Sequence, residues 1–442
     1  MMLAKIPVLV VVALGVFSSG VGAEVTPPAG FAALFNGTDF DGWFGHAGED
    51  PRPLLQASPA ELEKIWADSM ADVHAHWRVE NGELVNDGQG LYLTTKKNYR
   101  DFELRVEYKT VAGADSGIYL RGLPQVQIWD TADQDKFGID AGKGSGGLWN
   151  NSPGAPGKDP SRKMDKPFGE WNSFVITMIG ERVTVALNGE VVVDDAVMEN
   201  YLDRDAPMLV KGPVKLQTHG GEIRWRNIFI REIGPDEVAE RLAARDAEGF
   251  VRVDNGKDLS NWQGAVDEYE VVDGTIRNKI DRGGALVTRE EYADFKVRLQ
   301  FRLPGTGNNG LGIRTSVDGY PGHDGLTEVQ VLAEDYDTVK GEPIDPRQAH
   351  GSAYGILAAR RGYQQPIGEW NYQEVTVRGT TLKVELNGTV ILEGDLAAID
   401  PATFMSGGRS PGFQKASGYF GFYALAGHND PVDFKNIYIK RL

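Results

Sequence analysis

Cysteine is absent from this chain of 442 residues. That excludes a disulfide framework, thiolate metal sites, cysteine nucleophiles and a lipid-anchoring cysteine behind a leader. Positive charge is in deficit, with 46 Lys and Arg against 63 Asp and Glu and a net charge of −17. Such a balance disfavours nucleic acid and anionic membranes as partners. Long apolar runs are also missing. Ile6 to Phe17 is apolar but too short to span a bilayer, so no membrane insertion is expected. With Lys5 before it and Val21-Gly22-Ala23 after it, this run reads as a cleavable signal over residues 1–23. The expected location is therefore periplasmic or secreted. Neither a phosphate-binding loop nor a dinucleotide fingerprint occurs, and an exported protein has no ready supply of ATP or nicotinamide.

What the chain does contain is written twice. Gly169-Glu170-Trp171-Asn172 returns as Gly368-Glu369-Trp370-Asn371, and Leu187-Asn188-Gly189 returns as Leu386-Asn387-Gly388, both offset by 199 residues (368 − 169 and 386 − 187). Phe31 to Gly45 matches Phe250 to Gly264, and Arg226-Asn227-Ile228 matches Lys435-Asn436-Ile437. Two copies of this size are a tandem domain duplication rather than a solenoid. The expected domains are residues 30–234 and 250–442, joined by a charged helical linker over 235–249.

Each copy reads as strand and turn. Phe102 to Tyr108 and Phe295 to Phe301 alternate apolar and polar residues, giving one dry face and one wet face. Val183 to Leu187 and Leu382 to Leu386 each run into Asn-Gly, a strong hairpin signal. With 55 glycines available for turns, an antiparallel β-sandwich is expected in each half. One helical insertion breaks the pattern in the first copy only. Ser58 caps it, Pro59 opens it, Glu61 closes a capping box, and Leu62, Ile65, Trp66, Met70 and Val73 share a face.

Several passages resemble one family. In the second copy these are Asn309 to Arg314 (NGLGIR), Glu328 to Leu332 (EVQVL), His350 to Gly355 (HGSAYG) and Arg361-Gly362-Tyr363 before Pro366 to Asn371 (PIGEWN). In the first they are Ser116 to Arg121 (SGIYLR), Pro124 to Asp130 (PQVQIWD) and Leu216 to Gly220 (LQTHG). They are similar to the exported bacterial 3-keto-disaccharide hydrolase domain, also described as 3-keto-glycoside 1,2-lyase and 3-keto-2-hydroxyglucal hydratase. The resemblance implies an all-β chain of two concanavalin-like jelly-roll sandwiches, with sugars oxidised at C3 as substrates.

In the first copy, a three-residue turn at Gly122 to Pro124 would set Arg121 opposite Gln125, Tyr119 opposite Gln127 and Gly117 opposite Trp129. Tyr119, Arg121, Gln125, Gln127 and Trp129 would then share one face, suited to sugar hydroxyls and to a sugar's C–H face. A solvated face with Trp129 tucked under a loop is the plainer alternative. No carboxylate pair stands there, so the two-acid chemistry of ordinary glycosidases is not expected.

The second copy offers Glu328 in place of Gln125, Gln330 for Gln127 and Arg314 for Arg121. It adds His323 in a Gly-rich loop, His350, and His428 near the position of His219, with Tyr354 near that of Trp149. A 3-keto group acidifies the hydrogen on C2, so one base can start a β-elimination that expels the glycosidic oxygen. Glu328 or His350 is the candidate base, Arg314 or a bound cation the enediolate stabiliser, and His428 the proton donor. Gln330, Tyr354, Tyr119, Arg121, Gln127, Trp129 and His219 are candidate substrate contacts. Glu328, His350 and His428 are candidate ligands for a divalent metal ion. Asp130, Asp133, Asp135 and Asp140 form an acidic loop with a calcium-like donor set but no EF-hand spacing. The partner implied is an oligosaccharide or glycoside. A tandem lectin-like binding protein, or a binding first copy beside a catalytic second, are the competing expectations.

Overall fold

The computed structural model describes residues 25–48, 50–132, 141–405, 412, 415–425 and 430–442. The signal segment, Asp133, Asp135, Asp140 and His428 lie outside the described residues. The chain divides into two compact units, the first closing with Arg182–Glu232 and the second comprising Ile179–Glu181 and Ile233–Leu442. Each is a sandwich of an eight-stranded and a five-stranded antiparallel sheet. No described helix is long and apolar enough to cross a membrane.

Alternation builds the larger sheets. Leu104, Val106 and Tyr108 in the first unit, and Val297, Leu299 and Phe301 in the second, are at most 2% exposed and pack into the sandwich cores. The Asn-Gly turns close their hairpins with both residues left-handed, Asn188 at φ 54° with Gly189 at 89°, and Asn387 at 50° with Gly388 at 82°. That geometry matches the twist of the flanking strands.

The five-stranded sheets carry the site and share one order. In the second unit this is Trp262–Gly264, Gly284–Tyr292, Gly418–Ala424, Asn308–Thr315, Thr327–Leu332. In the first it is Trp43–His46, Tyr92–Thr95, Lys215–Leu216, Asp115–Leu120, Leu123–Trp129. The hairpin turn of the first unit is tighter than the sequence implied. Leu120 pairs with Leu123, so Arg121 and Gly122 alone form the loop, at φ 52° and 73°. Tyr119 therefore faces Gln125, Gly117 faces Gln127 and Asp115 faces Trp129. A shift of two residues keeps those side chains on the expected face and removes only Arg121 from it.

The insertion is the expected helix, Pro59–His76, with the Ser58–Glu61 capping box in place. It lies between Trp43–His46 and Trp77–Glu80, where the second unit has only a short turn at Val266–Glu268. The segment expected as a linker is a helix, Pro235–Ala244, that docks within the second unit. Val238, Ala239 and Leu242 are buried with Ile233 and Tyr372.

Candidate active site

In the second unit the sheet face away from the core is built in rows. Gly421, Gly312 and Glu328 stand side by side on three neighbouring strands, and Tyr423, Gly310 and Gln330 form the next row. Asn308 pairs with Leu332 beyond them, and Leu425 follows two residues after Tyr423. Leu311, Ile313, Val329, Val331, Phe420 and Phe422 take the opposite parity and fill the core. The glycines are required by contact: a Cβ on Gly310 would sit 2.0 Å from Oε1 of Glu328. The carboxylate lies flat on a backbone floor.

Above this floor is a cavity of about 370 Å³. Its first wall comes from chain added beside the strand Thr327–Leu332. Gln330 N–H donates to Ser352 O, Gly351 N–H to Gln330 O and Tyr354 N–H to Glu328 O. This pairing delivers Tyr354, whose hydroxyl accepts from Nε2 of Gln348 at 3.1 Å. The second wall is the turn Pro321–Asp324, which presents Tyr320 and an exposed His323. The Tyr320 ring stands 4.8 Å from that of Tyr423 and 5.6 Å from the His323 imidazole. Nε2 of Gln330 donates to Oδ1 of Asn308 at 3.1 Å, which fixes both amides over the cavity.

Glu328 is the charged centre. It is 9% exposed, and burial pushes its carboxyl up to about 7. Desolvation disfavours the anion, so this carboxyl takes up and releases its proton near neutral pH. Burial also raises the Tyr423 phenol, and Tyr320 beside it adds to the effect. Tyr423 thus holds its proton.

The matching face of the first unit is closed. Tyr119 and Lys215 stand where the second unit has Gly312 and Gly421, and they are 2% and 0% exposed. Nζ of Lys215 donates to Gly48 O at 2.8 Å. Gln125 is spent on Gln127 (2.5 Å), and Gln127 donates to Asp115 (2.9 Å), which pairs with His219 at 3.1 Å. The polar groups that looked suited to a sugar are turned mostly onto one another, with Oε1 of Gln125 left buried and unpaired.

A family model described as the 3-keto-alpha-glucoside-1,2-lyase-like domain matches the chain twice, over residues 30–231 and 249–440. The chain belongs to that family. A relative, the 3-keto-disaccharide hydrolase of Bacteroides thetaiotaomicron, is 24% identical over 245 residues, 46% of this chain and 78% of its own. A crystal structure described as a candidate glycosyl hydrolase from Parabacteroides distasonis is 24% identical over 45% of this chain and 96% of its own, with a TM-score of 0.38. A Bacillus subtilis protein of galectin-like fold covers 43% of this chain and 94% of its own at 13% identity, with a TM-score of 0.28. Family and sheet order together make this an all-β chain of two tandem sandwich domains of a carbohydrate-active family.

Within this family domain the structure corrects several sequence expectations. Arg314 is 3% exposed, at φ 53°, and its guanidinium donates to Ala293 O, Gly379 O and Asp294. Arg121 does the same with Arg100 O, Leu209 O and Asp101. Both arginines tie down a turn and neither faces a substrate. His350 is 5% exposed and packs at a tilt against Phe301 of the core, ring centroids 4.8 Å apart. Its Nδ1 accepts from the Leu332 N–H at 3.4 Å, and Gln373 lies beside Nε2 without closing a well-formed hydrogen bond. Burial pushes the imidazole down to about 3, so it stays neutral and belongs to the core.

In the first unit Trp129 is 8% exposed, bonded to Gly144 O and edge-on to Trp149, and Gln127 is 3% exposed. Among the described residues, the sheet face expected to take a sugar is closed there. His219 is exposed, beyond Asp115. The residues also do not fit the proposed metal set. His350 does not line the cavity, and among the described residues no three His, Asp or Glu side chains converge on one point. Asp130 of the acidic loop accepts from Gly113 N–H and Ala132 N–H, bracing the chain.

Glu328, Gln330 and Tyr354 do share the cavity. Tyr320, Tyr423, Asn308, Asn309 and Gln348 join them and were not singled out from sequence. Strand parity against Phe420 and Phe422 was the available signal for Tyr423. Tyr320 and Gln348 sit in loops, where no periodicity points.

Proposed function

We propose that the second unit cleaves 3-keto-glycosides by β-elimination followed by hydration, with Glu328 as the base. The observation that carries this is one carboxylate, raised to about 7, lying on a glycine floor inside an open cavity. Glu328 removes the hydrogen on C2, and the electrons pass to the C3 oxygen as an enediolate. Collapse of that anion forms the C1–C2 double bond and breaks the bond from C1 to the glycosidic oxygen. The leaving oxygen takes a proton, for which the exposed His323 on the cavity wall is the candidate donor, with His428 outside the described residues. Water then adds at C1 while the proton returns to C2, giving the free 3-keto sugar. The side-chain amide of Gln330, one row from Glu328, is the donor for the C3 oxygen. Only one carboxylate is needed, because the ketone replaces the second acid of an ordinary glycosidase.

Glu328→Gln tests this. Turnover of 3-keto-trehalose or 3-keto-sucrose should fall about 10²-fold or more, the scale for losing a general base. Binding of an unoxidised analogue should change much less. Binding without turnover in the unsubstituted protein would instead support a lectin-like role. Export belongs to the same proposal, supported by Lys5, the apolar run Ile6 to Phe17 and the small residues ending at Ala23. N-terminal sequencing of protein recovered outside the cytoplasm should then begin at Glu24.

A further inference from the structure

The cavity in the second unit is graded along its length, and the grading bears on which glycosides it takes. Glu328, Gln330 and Leu332 are successive same-face residues of one strand, so Leu332 lies about 13 Å along the strand from Glu328. The rows change from carboxylate on glycine, to amide and phenol, to a final row of Asn308 flanked by Leu332. Leu425, Tyr336 and Ile344 line the same cavity. Leu425 falls in that final row by register, and Tyr336 is tied to the strand end by its N–H to Ala333 O. The carboxylate end is rich in hydrogen-bonding groups, and at the far end leucines flank Asn308, with Ile344 adding to the apolar lining of the same cavity.

A keto-pyranose carries hydroxyls around its ring and is satisfied only near the amides and phenols. Leu332, Leu425 and Ile344 cannot pair with hydroxyls, and Oδ1 of Asn308 in that row already accepts from Gln330, so a second sugar held there would leave most of its hydroxyls desolvated and unpaired. We propose that this end is an aglycone subsite for an apolar, planar group, so that the preferred substrates are 3-keto-glucosides of phenols or similar aryl alcohols. This rests on the proposed elimination at Glu328. Tyr336 offers a ring face for the aryl group, and the leucine and isoleucine side chains cover its edges.

The test compares phenyl, methyl and glucosyl 3-keto-glucosides with the full chain and with Ile344→Asn and Leu425→Asn. Phenyl 3-keto-glucoside should show a KM about 10-fold below that of the methyl compound, and each substitution should remove most of that advantage. kcat/KM for the methyl compound should stay within about twofold, which also reports that the variants are folded. Binding of unoxidised phenyl glucoside, followed by calorimetry, should weaken in parallel. Equal KM for phenyl and methyl substrates, or variants that treat both alike, overturns the subsite while leaving Glu328 as base. Phenyl glucoside binding that depends on Ile344, without turnover of any 3-keto-glycoside, keeps the subsite and overturns the reaction.

Discussion

Glu328 and Gln125 differ by one atom type at one register position, and only the carboxyl of the pair can take up and release a proton. The carboxylate also carries a stability cost. Its unfolded value is near 4.5 and its folded value about 7, so the folded state binds more protons between these limits. Stability is therefore lost as pH rises through that window, by about 3 kcal/mol when complete. Glu328→Gln should be more stable than the parent at pH 8 and equal to it below pH 4.5. Thermal melts across that range check this, and a constant difference would show that Glu328 is not desolvated as described. His350 works in the opposite sense: its folded value lies below its unfolded one, so its contribution is lost as pH falls from 6.5 toward 3. Of these two residues, Glu328 was legible from its contrast with Gln125. His350 was misread, because sequence alone does not say whether an imidazole turns toward a cavity or toward Phe301.

At the scale of the element, the hairpin shows how the repeat carries structure as well as chemistry. Arg121 and Arg314 recur because each holds a left-handed turn residue by fanning its guanidinium over backbone carbonyls and a carboxylate. A fork of fixed donors suits that task better than lysine's single ammonium. Arg314→Met should cost about 2–3 kcal/mol, since the charged hydrogen bonds of a buried guanidinium are lost. The folded fraction should keep its kcat. A melt paired with active-site-normalised kinetics separates this anchoring role from stabilisation of an enediolate, which would lower kcat at unchanged stability. The two-residue turn itself was not legible. Gly122 and Pro124 permit several loop lengths, and the choice was made by carbonyls contributed from residues 88 and 21 positions away.

For the whole molecule, duplication has left one open face and one closed one. Tyr119 and Lys215 fill in the first unit what Gly312 and Gly421 leave empty in the second. A carboxylate restored to the first unit would thus lie under a full layer of side chains. Gln125→Glu should lower stability by burying an acid without water, and should add no turnover to a Glu328→Gln background. Assay of the double variant at high substrate decides. Recovered activity would mean that the first unit opens on its own.

Sequence by itself determined the duplication, the sandwich class, the capped helix Pro59–His76 and the placing of Glu328 on the site face. Each of these rests on local periodicity or on a one-to-one match between copies, and neither needs long-range contacts to be read. Only the tertiary structure decided which polar residues meet solvent. Burial of Gln127, Trp129, Arg121 and His350 is set by what packs over them, and those partners come from distant parts of the chain. The cavity likewise depends on loops carrying Tyr320 and Gln348, whose course follows from packing rather than from any pattern of period two.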